Sequence, residues 1–163
     1  MSTKSPDDKS PAGGPPPALA SRLGYLLKHA QLRLFDLTSS AMAPYGVSGR
    51  ECAVLIVIDD RVPLSQQEVA RRLAVDRTTM VALIDDLESK GLVQRRQDTD
   101  DRRKNVVALT DAGLDTLRRA TKAGHEAELR FLGPLSDDET AKFKETLRAV
   151  AFPAPEELPS AKH

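Results

Sequence analysis

Arg77, Thr78 and Thr79 follow Asp76, a residue type that caps helices, and stand off an apolar stripe of Met80, Leu83, Ile84 and Leu87. A guanidinium in the first turn of a helix can reach a guanine edge, and a threonine can meet a thymine methyl or a phosphate. Arg102, Arg103 and Lys104 stand together between two apolar-alternating runs. Guanidinium groups at such a tip can enter a minor groove of negative potential. Asp101, two residues before Arg103, has the spacing to orient it as a paired carboxylate. This chemistry is recognition of a polyanion rather than bond breaking.

Other chemistries find little footing. The chain has no GxSxG elbow, no GxxxxGK[ST] loop and no GxGxxG after a strand. Asp85 and Asp86 are adjacent on an expected helix, so they point in different directions and read as a solvated face rather than an acid–base pair. His29, His125 and His163 are isolated, without HxxxH or CxxC spacing. The expectation is no enzyme, no metal and no cofactor.

The elements that must position these groups follow from local signals. Ser65 and Glu68 form a capping box, with Leu64 and Val69 as its staple, and the helix they open stops at Ala74–Val75. Asp76, with Val75 and Met80 as staple, opens a second helix that ends at Lys90–Gly91. Leu92–Arg96 and Asn105–Leu109 then pair as strands around the tip Gln97–Lys104. From Lys90 to Lys104 there are six basic residues against three acidic ones. Ser65, Gln66 and Gln67, with Arg95, are placed to hold phosphates.

On either side the chain reads as helical. A helix from about Ala18 to Ala43 carries Leu23, Leu26, Leu27, Ala30, Leu34 and Leu37 in one stripe and is broken at Pro44–Gly46. Ser48 and Glu51 cap another, reaching about Asp59. Thr110 caps one to about Leu132, and Ser136–Glu139 one through Val150. The predicted fold is mainly α with a small β-hairpin: a winged helix-turn-helix over 62–110, with dimerisation helices over 18–45 and 110–152. Residues 1–17, rich in Pro, Gly, Ser and charge, read as a disordered tail, and 153–163 as a frayed one.

Composition narrows the partners. The 24 basic residues are matched by 24 acidic ones, so any basic patch is local. One cysteine excludes an internal disulfide and fits a reducing cytoplasm, and no apolar run is long enough to cross a membrane. The outer helices carry more apolar surface than a small winged helix can cover. An isologous homodimer with interleaved chain ends answers this, and its two-fold axis predicts a pseudo-palindromic site on double-stranded DNA.

Two stretches, LESKGLVQR at 87–95 and DTDDRRKNVVALTDAG at 98–113, resemble the MarR (multiple-antibiotic-resistance regulator) family of bacterial transcription factors. The resemblance covers about residues 19–151. It implies that Arg103 is the wing-tip residue of the minor groove, that Asp101 orients it, and that Arg77, Thr78 and Thr79 begin the recognition helix. It also implies a dimer, bound to nucleoid DNA in the cytoplasm, and in many members a small aromatic ligand that lowers DNA affinity.

For such an effector, Tyr25, His29 and Arg33 are spaced by four along one helical face and offer a phenol, an imidazole and a guanidinium. The expected function is a dimeric repressor released by a phenolic or aromatic carboxylate ligand. Alternatives are a constitutive or architectural DNA binder, a protein-interaction module, and a redox sensor using Cys52. Cys52 also completes the Val47 staple as a small buried hydrophobe. In peroxide-sensing members of the family the reactive cysteine lies in the first helix, which has none here.

Overall fold

The computed structural model describes residues 16–59, 62–98 and 103–153. Its elements in order are α1 (Pro17–Ala20), α2 (Leu23–Met42), α3 (Gly49–Ile58), α4 (Gln66–Arg72), α5 (Arg77–Ser89), strands β1 (Val93–Gln97) and β2 (Asn105–Leu109), α6 (Asp111–Leu132) and α7 (Asp137–Ala151). Three capping boxes form as the spacing predicts, at Ser48–Glu51, Ser65–Glu68 and Ser136–Glu139. Asp76 and Thr110 cap α5 and α6 by accepting from the backbone N–H three residues on. The architecture is the predicted one, mainly helical with an antiparallel hairpin, a winged helix-turn-helix between long flanking helices.

Two elements differ from expectation in their bounds. The first helix is interrupted at Ser21–Arg22, where Arg22 takes extended backbone. Leu19 and Leu23 on either side are exposed, so no burial within the chain favours a continuous helix there. The first strand runs Val93–Gln97 rather than Leu92–Arg96: Gln97 pairs with Asn105 instead of belonging to the tip, and Leu92 completes the end of α5. Its N–H donates to Leu87 O at 2.9 Å, and Gly91 N–H donates to Glu88 O at 2.9 Å, with Gly91 left-handed at φ 70°. That is a Schellman motif, and Leu87 and Leu92 supply its buried apolar contact.

The core lies within the winged helix. Val54, Leu55, Val69, Met80, Ile84, Leu87 and Val93 are almost wholly removed from solvent, each worth roughly 1.5–3 kcal/mol by area. The hairpin is registered Val93↔Leu109 through Gln97↔Asn105. Leu64 adds an antiparallel bridge to Val107, with Val107 N–H donating to Leu64 O at 2.9 Å. The wing is thereby tied to the chain just ahead of α4.

In the turn between α4 and α5, Ala74 is left-handed at φ 51°. An L-residue there is disfavoured by about 1–2 kcal/mol, more than the extra chain entropy glycine loses on folding. Ala74→Gly is expected to raise stability by up to about 1 kcal/mol, read as a higher denaturation midpoint. A lower midpoint would mean the turn gains more from the methyl group than it loses in strain.

α2 and α6 run antiparallel: Arg33 lies over the Phe131 ring at 5.5 Å, and a Cβ at Gly124 would come within 2.6 Å of Met42 Cε. Large apolar side chains remain uncovered along the outer helices, among them Leu23, Leu27 and Phe35 of α2 and Phe143, Leu147 and Val150 of α7. Leu27, Leu34, Phe131, Phe143 and Leu147 line an open groove of about 520 Å³ between α2, α6 and α7. Among the described residues, no single helix is long and apolar enough to cross a membrane.

Candidate nucleic-acid interface

Five of the residues expected to meet DNA surround one concavity. Ser65, Gln66 and Gln67 from the start of α4, Arg77 from the start of α5 and Arg95 from β1 line a recess of about 350 Å³ beside Asn105. Segments up to 30 residues apart in sequence converge because α4 and α5 pack on the Val69–Met80–Ile84 core while the wing folds back against Leu64. Arg77 and Thr78 are exposed; Thr79 is half-buried and lies outside the recess lining. Arg103 and Lys104 lie exposed where the hairpin leaves the lobe. Asp101 and Arg102 lie outside the described residues.

Hydrogen bonding distinguishes these side chains. Ser65 Oγ donates to Glu68 Oε2 at 2.7 Å and accepts from Glu68 N–H at 3.3 Å, so its hydroxyl serves the helix cap. Thr79 Oγ1 donates to Asp76 Oδ2 at 2.6 Å, and Thr79 N–H reaches Asp76 Oδ1 at 2.9 Å. These two bonds hold the Asp76 carboxyl below its ordinary pKa, so the cap at the head of α5 stays ionised. Thr79 can therefore offer an incoming group its methyl or an acceptor lone pair while its proton remains with Asp76. Gln67, Arg77 and Thr78 present their side chains outward.

Ion pairs join α5 to its surroundings, and sequence reasoning missed them. Lys90 Nζ lies 2.5 Å from Glu51 Oε1 and 2.9 Å from Asp86 Oδ2. Glu51 is buried, and the same carboxylate accepts from Ser48 N–H and Oγ, each at 2.8 Å. The Glu51 bond, more than the Asp86 one, raises the pKa of Lys90. Arg95 pairs with Asp85 and Glu88. Asp85 and Asp86 are exposed as expected, and each has a cation as partner. Their adjacency on one helix does send them to different partners, Asp85 to Arg95 of the wing and Asp86 to Lys90 at the end of its own helix. Lys90 was legible as a helix-end cation and Glu51 as half of a capping box, but their pairing spans 39 residues and leaves no local signal.

The candidate effector row lies on α2, and none of its residues lines the recess. Tyr25 and His29 have ring centroids 4.2 Å apart at an interplanar angle of 41°, and Arg33 is directed to Phe131. Cys52 is buried against the core. Burial pushes its thiol pKa up, against a weaker opposing bond from Thr121, the reverse of what a reactive thiolate needs. No group of three or more His, Cys, Asp or Glu side chains among the described residues is placed to hold a metal ion.

Residues 45–104 match the model of the MarR family. The chain is 31% identical over 123 residues, 75% of its length, to a transcriptional regulatory protein proposed for the hcr operon of Thauera aromatica, and covers 74% of that protein. It superposes on the transcriptional repressor CouR bound to a 23-mer DNA duplex with a TM-score of 0.76 and 34% identity, over 83% of this chain and 96% of that one. CouR from Rhodococcus jostii RHA1 bound to p-coumaroyl-CoA gives a TM-score of 0.74 and 28% identity, over 85% and 98%.

Proposed function

Since the chain belongs to the MarR family of DNA-binding transcriptional regulators, we propose that it is a dimeric repressor whose hold on its operator is relaxed by a small aromatic ligand. The observation that carries the reading is the convergence of Gln66, Gln67 and Arg77 on one recess that Asn105 also lines, with Arg103 exposed two residues before Asn105. In this reading Arg77 and Thr78 enter the major groove, with the Thr79 methyl beside them. Arg103, with Asp101 and Arg102, addresses the minor groove, and Gln66 and Gln67 hold phosphates. The regulator unit is residues 18–152.

The uncovered apolar faces of α2 and α7 support a second copy as their cover. Two recognition helices related by a two-fold axis then fit half-sites about one DNA turn, roughly 10 bp, apart. The p-coumaroyl thioester bound by CouR supports an effector that carries a phenolic or aromatic acid group. Tyr25 and His29, a tilted ring pair on α2, are our candidates for its aromatic part, and Arg33 for an anionic one.

The test is a titration of the purified protein on the intergenic DNA upstream of its own gene, with and without phenols and aromatic carboxylates. Tight binding released by a ligand is the expected result, and Arg103→Ala is expected to weaken specific binding by about 1–3 kcal/mol at fixed salt. Tight binding unmoved by any ligand would favour a constitutive regulator. Absence of specific, salt-sensitive binding would sink the DNA-reading assignment.

A further inference from the structure

The side chain of Arg95 joins three elements of the groove-facing surface. From β1 it donates through Nη1 to the Glu88 carboxylate and through Nη2 to Asp85 Oδ1, both on α5. A second Nη2 bond of 3.2 Å reaches Gln66 Oε1 at the start of α4. The backbone N–H of Arg95 adds a bond of 3.1 Å to Glu88 Oε1, so one carboxylate grips both the main chain and the side chain of this residue.

Two physical features separate this arrangement from a phosphate contact. Three guanidinium bonds already run into the protein, using the planar fork that a phosphate would otherwise engage. A phosphate approaching Arg95 would also meet two carboxylates already paired with it, and would have to displace them or share the cation. The second half of α5 is acidic, with Asp85, Asp86 and Glu88. A helix facing a polyanion tolerates such residues when cations neutralise them: Lys90 takes Asp86, and Arg95 takes the other two.

We infer that Arg95 is a positioning residue rather than a phosphate ligand: its guanidinium fixes the wing, α4 and the recognition helix relative to one another and screens Asp85 and Glu88 from DNA. This rests on the DNA-binding reading and reassigns one residue within it. Lysine at 95 would keep the charge but could not bridge two carboxylates and an amide in one plane. A phosphate contact would survive that change, whereas a three-way joint would not.

The experiment compares wild type, R95A, R95K and D85N/E88Q on a duplex that wild type selects from a random pool and on a scrambled duplex, over a range of salt. The expected result is that R95A and R95K each lose about tenfold or more in affinity for the selected duplex. The slope of log Kobs against log salt stays at its wild-type value. D85N/E88Q lowers the selected-to-scrambled ratio even though it removes two negative charges facing DNA. The inference is overturned if R95K binds like wild type, if R95A makes the slope shallower by about 0.9, or if D85N/E88Q binds the selected duplex more tightly with its ratio intact. The isosteric amide pair keeps the question open to measurement even where R95A fails to fold. Failure of wild type to select any duplex would overturn both the DNA-binding reading and this inference, a result distinct from the other three.

Discussion

Replacing Gly113 by alanine is expected to remove about 3 kcal/mol of stability or to unseat the wing, and in either case to abolish specific DNA binding. A Cβ at this position, in the first turn of α6, would lie 1.9 Å from Leu92 O and 2.9 Å from Leu92 C. The obstacle is main chain and cannot rotate away. Nor can it retreat easily, because three hydrogen bonds fix it. Leu92 O accepts from Thr110 N–H at 3.1 Å, Leu92 N–H is held by Leu87 O at 2.9 Å, and Thr110 Oγ1 donates to Gly91 O at 2.6 Å. Denaturation with duplex titration measures both consequences. Gly24→Ala is the control: nothing lies within 4 Å of its added Cβ, and alanine near the start of α2 gains helix propensity. A Gly113→Ala protein as stable as wild type would mean that α6 and the base of the wing can part at little cost.

Gly113 also marks where sequence reading stopped. Its place in the run ending LTDAG was visible as part of a family resemblance, but the close approach to Leu92 depends on two segments 21 residues apart meeting in space. Signals that act within one helical turn were legible: Ser48–Glu51, Ser65–Glu68, Asp76, Thr110 and Ser136–Glu139 each announce a helix start, and Lys90–Gly91 an end. Hydrophobic spacing placed Met80, Ile84 and Leu87 in the core. The ion pairs were not legible, because a carboxylate that could serve a cap, a solvated face or a distant cation looks the same in each role. Glu51 turned out to serve a cap and a cation together. Arg95 read as one more basic residue near DNA, and only its four bonds to Glu88, Asp85 and Gln66 distinguish it.

The second large effect is expected at Lys90. Lys90→Met strands the Glu51 carboxylate, whose side chain is 7% exposed, without its cation. Breaking a fully buried pair from one side removes about 3–5 kcal/mol; Lys90 itself reaches water, which brings the expectation to about 2–3 kcal/mol. The double variant K90M/E51Q is expected to recover part of that, since no unpaired charge then remains buried. The pH dependence has a definite sign. The folded protein holds the Lys90 pKa above its unfolded value, so the pair contributes fully at neutral pH and up to the usual lysine range. It is lost as pH rises through the raised folded value. Wild type and K90M are therefore expected to differ by a constant amount across neutral pH and to converge under strongly alkaline conditions, where Lys90 loses its proton. A gap that opened or closed near neutrality would assign the stabilisation to another group.

The bridge between Leu64 and Val107 changes what the hairpin can report. A two-stranded ribbon projecting from a lobe ordinarily frays on its own, and its amides exchange with solvent whatever the rest of the molecule is doing. Here the Val107 N–H is satisfied by a residue that precedes α4, and Val106, Val107 and Leu64 are buried together. The inner strand of the wing therefore belongs to the same cooperative unit as the two helices of the motif. Deuterium is therefore expected to enter at Val107 only when that whole unit opens, which would make one backbone amide a gauge of the energy gap between the folded lobe and its open state.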